Sequence, residues 1–440
     1  MSPQFKEIEG WKVATPRESE PKGAWWSVFR DPELDRLERV VVVSNQAVKA
    51  DEASYREALA LINEARSGLF PTVNGTGSAT RASPGTTNLT AEASGLWTLD
   101  VWGQVRREIE AQQAGAQTSA ANLANATLAA QSALALAYVT LREADSLEDL
   151  LARTVKDYQQ SVTITQNQYN AGTAAKSDVI TAQAQLLNAQ AAFIAAGVAR
   201  AQSEHAIAVL MGRPPAGLTI PHGSLATRVP AVPVGLPSSL LERRPDVAAA
   251  EETMRQANAE IGVAFAGYFP AVSLNGLVGY SGNPFNAAFG PSNPVWSFGA
   301  SLAQPLFNGG LTTAQVEAAR QTYQSEVAIY RQTVLTAIQQ VEDALSGIRI
   351  LSREVKVQAE DVRISREATQ ITLNEYKAGT QAFTAVVTAE TQQLAAEESL
   401  LATQGQLQTD AVALIVALGG GWSQSKLPDV AAQTSNVPPH

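Results

Sequence analysis

Two periodicities alternate along this chain. Between Leu89 and Leu99 apolar residues recur at every second position. Leu89, Ala91, Ala93, Gly95, Trp97 and Leu99 share one face, and Thr90, Glu92, Ser94 and Thr98 the other, with Leu96 as the exception. Farther on, Val272, Leu274, Val278 and Tyr280 alternate with Ser273, Asn275 and Gly279. Then Trp296, Phe298, Ala300 and Leu302 alternate with Ser297, Gly299, Ser301 and Ala303. A period of two predicts strands with one apolar and one polar face. The stretches "RASPGTTN" and "SGNPFNAAFGPSNP" read as the turn-rich loops between them. The expectation is two hairpins whose strands run roughly ten residues, the length that crosses a bilayer when tilted.

After each hairpin the spacing changes. Leu134, Ala137, Leu141, Ala144, Glu148, Leu151, Val155, Tyr158, Val162, Thr165 and Tyr169 step by alternating threes and fours. Val316, Tyr323, Val327, Tyr330, Val334, Ile338, Val341, Leu345 and Ile348 repeat the pattern. These are coiled-coil heptads. No proline falls between Gly103 and Arg213 or between Leu306 and Leu427. A helix from Gly103 to Ala171 would be on the order of 100 Å long, too long for a compact globule.

Both patterns occur twice in the same order. Phe70-Pro71 returns as Phe269-Pro270, an offset of 199 (269 − 70), and Tyr169-x-Ala-Gly-Thr returns as Tyr376-x-Ala-Gly-Thr, an offset of 207 (376 − 169). A duplicated unit is implied, with a period too long for a solenoid. In each copy Ala-Gly-Thr interrupts the heptads. Glycine suits the positive-φ position that ends a helix, and Thr173 or Ser177 would cap the next one. Ala171-Gly172-Thr173 and Ala378-Gly379-Thr380 thus read as the turns of two helical hairpins, at the end away from the strands. A plain chain reversal with no further role is the alternative. Between the copies, "MGRPPAGLTIPHGSLATRVPAVPVGLPSSLLERRPD" reads as an irregular linker with a short strand lying beside the helices, and the tail from Trp422 as a poorly ordered end.

Composition narrows the function classes. Charged residues make up only 17% of the 440 residues and the net charge is −10, which disfavours a nucleic-acid partner. The absence of cysteine excludes disulfides and thiolate chemistry. His205, His222 and His440 have no ligand-type partner at helical spacing. No metal, cofactor or catalytic residue is predicted, and no phosphate-binding loop, nucleophile elbow or His-Glu-x-x-His occurs. No apolar run approaches the ~20 residues of a membrane helix, a statement that does not touch β-barrels. The opening "MSPQFKEIEGW" has the look of a mature N-terminus with an added Met.

On pattern alone the hairpins fit either a half-buried soluble sheet or a membrane barrel. Trp97, Tyr280, Trp296 and Phe298 suit interfacial aromatic girdles. Four strands cannot close a barrel, whereas two copies would supply eight and three would supply twelve.

Several local motifs then resemble one family. "WWSVFRDPELDRL" (Trp25 to Leu37), "GLFP" at Gly68, "GYFP" at Gly267, "LDVWGQVR" from Leu99, "LPSSLLERRPDVAAAE" (Leu236 to Glu251) and "PLFNGG" from Pro305 together resemble the TolC-like outer-membrane factors. The resemblance is to the NodT-type lipoproteins of resistance–nodulation–division efflux systems. It implies a mainly α fold with a transmembrane β part: a homotrimer whose twelve-stranded barrel, four strands per chain, continues into a long α-helical coiled-coil barrel. Residues 1–30 would be an extended part of an equatorial belt. Residues 31–212 would be the first repeat: a helix, a hairpin at about 70–102 and a helical hairpin with its tip near 172. Residues 213–240 would be an equatorial segment and 422–440 a tail. Residues 241–421 would be the second repeat, with a helix, a hairpin at about 269–307 and a tip near 379. The implied partners are outer-membrane lipid, a periplasmic adaptor (membrane fusion) protein gripping the tips, and an inner-membrane transporter of the resistance–nodulation–division class. The implied site is the outer membrane, reaching into the periplasm, with a lipid anchor whose cysteine this sequence lacks.

The resemblance also implies a periplasmic gate at the tips, mapped here onto Asp178, Ser177, Tyr376, Gln381, Thr388 and Thr391. Asp178 and Tyr376 match residues that tie a closed tip. Val387-Thr388-Ala389-Glu390-Thr391 departs from the family's Leu-Asp-Ala-Gln-Arg, so a constriction with fewer ion pairs is expected, with Glu390 as a possible substitute acid. The implied function is a passive efflux duct without enzymatic chemistry. The rivals are a protein-secretion channel and, from another class, a structural coiled-coil protein.

Overall fold

The computed structural model describes residues 24–83, 85–230, 243–282 and 294–430. The segment 1–23, most of the second hairpin's loop, residues 231–242 and the end of the tail lie outside the described residues. So does most of the "LPSSLLERRPD" motif.

The described residues open with a short 3-10 turn, Trp25–Phe29. Within the 1–30 segment expected to be extended, residues 25–29 are wound instead, while 1–23 lie outside the described residues. Both tryptophans are buried, and Trp25 Nε1 donates to Gln131 Oε1 at 3.2 Å. Arg30 closes the turn in the left-handed region (φ 54°). Asp31 then caps helix α1 (Pro32–Ser44), accepting from the amides of Glu33 and Leu34, with Pro32 at the first helical position. Tyr138 donates to the second Asp31 oxygen at 2.6 Å. The Trp-Trp…Asp-Pro motif is therefore a turn, a cap and an anchor in sequence. Where one helix was expected there are two, α1 and α2 (Gln46–Ser67). Asn45 separates them in an extended conformation, its side chain accepting from Ala47 and Val48 and donating to the Leu210 carbonyl.

Strands β1 (Thr72–Ala82) and β2 (Thr86–Leu99) follow, then helices α3 (Gln104–Asn170) and α4 (Lys176–Leu210). The second half gives α5 (Pro245–Ala266), β3 (Ala271–Gly282), β4 (Pro294–Ala303), α6 (Leu311–Lys377) and α7 (Phe383–Ala417). Helices α3 and α6 each have 67 residues, and α4 and α7 each have 35. The duplication read from the sequence is thus repeated residue for residue in helix length. Asp100 starts α3 by accepting from the amides of Val105 and Arg106. Among the described residues 213–230 there is a 3-10 turn, Pro215–Gly217, and no strand; the rest of the segment in which a short strand was expected, 231–242, lies outside the described residues.

Two compact units cut across the repeats. One is drawn from residues within 51–123, 246–334 and 425–440. It contains all four strands, joined antiparallel in the order β1-β2-β3-β4. Ile62, Ala116 and Val430 form one of its buried clusters, covered by Tyr55, Ala58 and Leu59. Trp102 stacks on Phe269 at 4.9 Å and donates to the Pro270 carbonyl, beside the helix-side end of the sheet.

The other unit is drawn from residues within 1–50, 124–245 and 335–424. Its fully buried side chains include Leu37, Leu134, Leu141, Ile207, Met211, Leu345 and Leu414. The segment after α4, read from sequence as an irregular linker with a short strand, is sewn onto it. Asp145, with no exposed surface, accepts from Arg142, from Arg200 and from the Gly223 amide. Arg142 and Arg200 in turn donate to the carbonyls of Pro221 and Ile220. Ser146 accepts from the Leu225 amide, and Gln408 donates to the Ala226 carbonyl.

Candidate functional site

The sheet is two surfaces in one. Its register pairs Gly95 with Val73 and Gly276, and Gly276 with Phe298, so these residues share a face. Apart from Arg81 and Thr87 beside the first turn, that face carries only Gly, Ala, Val, Leu, Pro, Phe, Trp and Tyr. Val73, Val278, Trp296, Phe298 and Leu302 on it are each more than 60% exposed. The opposite face presents Asn74, Thr76, Ser78, Thr90, Glu92, Ser94, Thr98, Ser273, Asn275, Ser297 and Ser301. Leu96, the exception in the sequence pattern, lies on the polar face between Thr72 and Asn275. Hydroxyl pairs cross the strands on that side, Ser78 with Thr90 at 2.7 Å and Thr98 with Ser273 at 3.2 Å.

The four predicted aromatics share the apolar face. Trp97 is third from the end of β2 and donates to the Leu69 carbonyl at 3.0 Å. Tyr280 and Trp296 lie third from the loop-side ends of β3 and β4, and Phe298 sits midway along β4. Among the described residues of the single chain, strands β1 and β4 have no neighbour on their outer edges.

At the other candidate site, the two tips are copies of one another. Gly172 and Gly379 both have φ 75°, a conformation open to glycine at little cost. In the first, the Gly172 amide reaches the Tyr169 carbonyl and the Thr173 amide the Gln168 carbonyl. In the second, Gly379 reaches Tyr376 and Thr380 reaches Glu375 in the same way. This is the Schellman closure of a helix C-terminus. The Thr173 and Thr380 hydroxyls donate to the same two carbonyls, each at 3.0 Å. The threonine therefore closes the helix before the turn, and the expected cap on the helix after it is not made. Ala175 and Ala382 hold the N-cap positions without side-chain bonds, and Ser177 is the second residue of α4. Ala171 and Ala378 precede the glycines and are exposed with them.

The predicted gate residues are only partly brought together. Tyr376 is buried against Phe383 (centroids 5.2 Å apart), within a cluster of Ala182 and Val386. Gln168 donates to the Tyr376 carbonyl at 3.2 Å, bridging the two helical hairpins. Burial, and then the charge of Asp178, push the Tyr376 phenol upward. Its hydroxyl is buried without a hydrogen-bond partner among the described residues. Gln381, Thr388 and Thr391 are exposed, and both threonine hydroxyls bond to their own helix, at Thr384 and Val387.

Glu390 is not a substitute acid on the exposed helix face: it is 7% exposed and accepts from Ser161 Oγ of α3 at 2.6 Å. Burial pushes its carboxyl up to about 7 despite the Ser161 bond, with Asp157 adding to the shift. The sequence could not show this, because heptad position does not say which neighbour covers a side chain.

A potential metal cluster of Asp145, Glu148 and His222 also comes together, with the imidazole 3.8 Å from each carboxylate. Both Asp145 oxygens already accept from guanidinium groups. The arrangement is an ion-pair network suited to holding the segment, and a divalent cation would have to compete with two arginines.

Against this geometry, a family profile described as outer membrane efflux protein matches residues 40–213 and again 236–420. The chain belongs to the outer membrane efflux protein family. Nodulation protein T of Rhizobium leguminosarum bv. trifolii is 31% identical over 355 residues, covering 76% of this chain and 75% of that protein. The probable efflux pump outer membrane protein TtgC of Pseudomonas putida is 29% identical over 345 residues, covering 76% and 71%. The solved outer-membrane channel OprN superposes with a TM-score of 0.88 at 28% identity, covering 96% of each chain. As a member of this family the chain is an outer-membrane efflux channel that extends into the periplasm. The two-faced sheet is the part of an outer membrane efflux protein that meets lipid on one side and water on the other.

Proposed function

We propose that three copies of this chain enclose one duct, which serves as the passive exit of a tripartite small-molecule efflux pump. The observation that carries this is the open sheet, apolar on one face, polar on the other and unpaired at both edges. In a bilayer every backbone amide and carbonyl must be satisfied within the protein, so an open edge has to be closed by another copy. Three copies pair β4 of one with β1 of the next and give twelve strands. The helices support the same closure. Ile180, Leu187 and Ile194 on α4, and Ile350, Val357, Ile364 and Ile371 on α6, repeat every seven residues and are each more than half exposed in the single chain. Such seams fit knob-into-hole packing against a neighbouring copy. Substrate would diffuse through, and no residue is assigned a catalytic role.

The tips are the contact for a periplasmic adaptor, through Ala171, Gly172, Thr173, Ala378, Gly379 and Thr380. An inner-membrane transporter supplies the energy. Opening is a shift between the two helical hairpins, which the adaptor favours by differential contacts. Asp178, Ser177, Tyr376, Gln381, Thr388 and Thr391 form the gate. Trp97, Tyr280, Trp296 and Phe298 are the aromatics that anchor the lipid-facing side of the barrel at the membrane interfaces.

The test is deletion and complementation in a cell whose partner pump is active. Loss of the chain should raise susceptibility to the pump's substrates, and the intact chain should restore resistance. Unchanged susceptibility on deletion would overturn the reading.

A further inference from the structure

We propose that Glu92, midway along β2, gives the barrel a preference for cationic over anionic solutes. This rests on the trimeric duct proposed above. Glu92 is the only charged residue on the polar face of the described strands. It stands six residues from one end of β2 and seven from the other, where a charge turned to lipid would be costly. The register settles which way it faces, because Glu92 pairs with Thr76 and Gly279 and lies on the side of Asn74, Thr90, Ser94 and Asn275.

The neighbouring strand is shaped around this side chain. A Cβ at Gly279 would stand 2.8 Å from both Cα and Cγ of Glu92 and would overlap the Ala91 carbonyl oxygen. Any larger residue there would force the β2 backbone and the stem of the Glu92 side chain to shift. The other polar-face residues of the described strands offer hydroxyls, amides and apolar side chains, with no cation among them. Arg81, the only other charged residue in the strands, belongs to the opposite face beside the turn.

Threefold symmetry puts three such carboxylates at one height. Twelve strands spaced roughly 4.8 Å apart and tilted about 40° enclose a wall of about 12 Å radius to the backbone. Side chains narrow the water-filled part to a dimension comparable with the Debye length of about 8 Å at physiological ionic strength. The potential of three unpaired carboxylates therefore reaches the axis instead of being screened at the wall.

The experiment uses the full-length chain in planar bilayers under a potassium chloride gradient, reading the reversal potential. The wild type should show a potassium-to-chloride permeability ratio above one. Glu92→Gln should lower it at least twofold and Glu92→Lys further, while Arg81→Gln leaves it unchanged. Normal conductance with the same ratio in all variants overturns the assignment to Glu92 and leaves the duct standing. Failure of the wild type to form trimers would instead count against the duct itself.

A second readout needs no open tip. Because the chain has no cysteine, Glu92→Cys and Ala91→Cys each introduce a single thiol. In liposomes a charged, water-borne thiol reagent should label position 92 and spare position 91. Protection of the thiol at 92 would overturn the proposal, since the side chain would then not face water.

Discussion

A single hydroxyl and a missing Cβ explain the repeated Ala-Gly-Thr. The glycines end α3 and α6 at φ 75°, and each threonine adds a side-chain bond to a carbonyl that its own amide already reaches. The glycine's role was legible because few residues tolerate that backbone. The threonine's was not, since a hydroxyl there can close the helix behind it or cap the one ahead. Gly379→Ala should cost the tip about 1–2 kcal/mol. Amide exchange at Gly379 and Thr380 should then quicken roughly 5- to 30-fold, and unchanged exchange would show that the tip is held by something other than this turn.

Glu390 carries a pH prediction. Its carboxyl lies at about 7 when folded, above its ordinary value near 4.5, chiefly because it is buried. The folded state thus binds a proton that the unfolded chain has already released. Stability should be greatest at or below about pH 4.5 as far as this group is concerned, fall as pH rises, and level off above about 7. The difference amounts to roughly 3 kcal/mol. Glu390→Gln should flatten this part of the profile and raise the melting temperature at pH 8. Parallel pH–stability curves for the two proteins would contradict the assignment.

Among elements, helix lengths and strand alternation were written plainly in the sequence, because the heptads have no proline and the strands keep period two. The exposed seams on α4 and α6 were equally visible as apolar residues, but which positions the chain's own neighbours cover is a tertiary fact. Those left uncovered predict the subunit boundary. Leu187→Glu combined with Val357→Glu puts one charge into each seam and should reduce the trimer to monomer in mild detergent, as read by native mass spectrometry. Each chain should keep its helical circular dichroism. An intact trimer would place the boundary elsewhere.

At the scale of the whole molecule, the cysteine-free sequence offers a clean test of closure. One cysteine placed on β1 and another on β4, scanned over neighbouring registers, should yield disulfide-linked species up to three chains and no larger. Ladders extending beyond three, or links formed only within one chain, would overturn the twelve-stranded arrangement.

The sequence alone determined the duplicated order of elements, the two-faced strands and the positions of the helix-ending glycines. Each follows from local spacing or from the backbone freedom of a single residue. Only the tertiary structure decided that Glu390 is buried against Ser161 and that Asp145 holds a segment 78 residues away through its bond to the Gly223 amide. Burial and long-range charge pairing depend on which surfaces meet, and no periodicity within one segment records its partner.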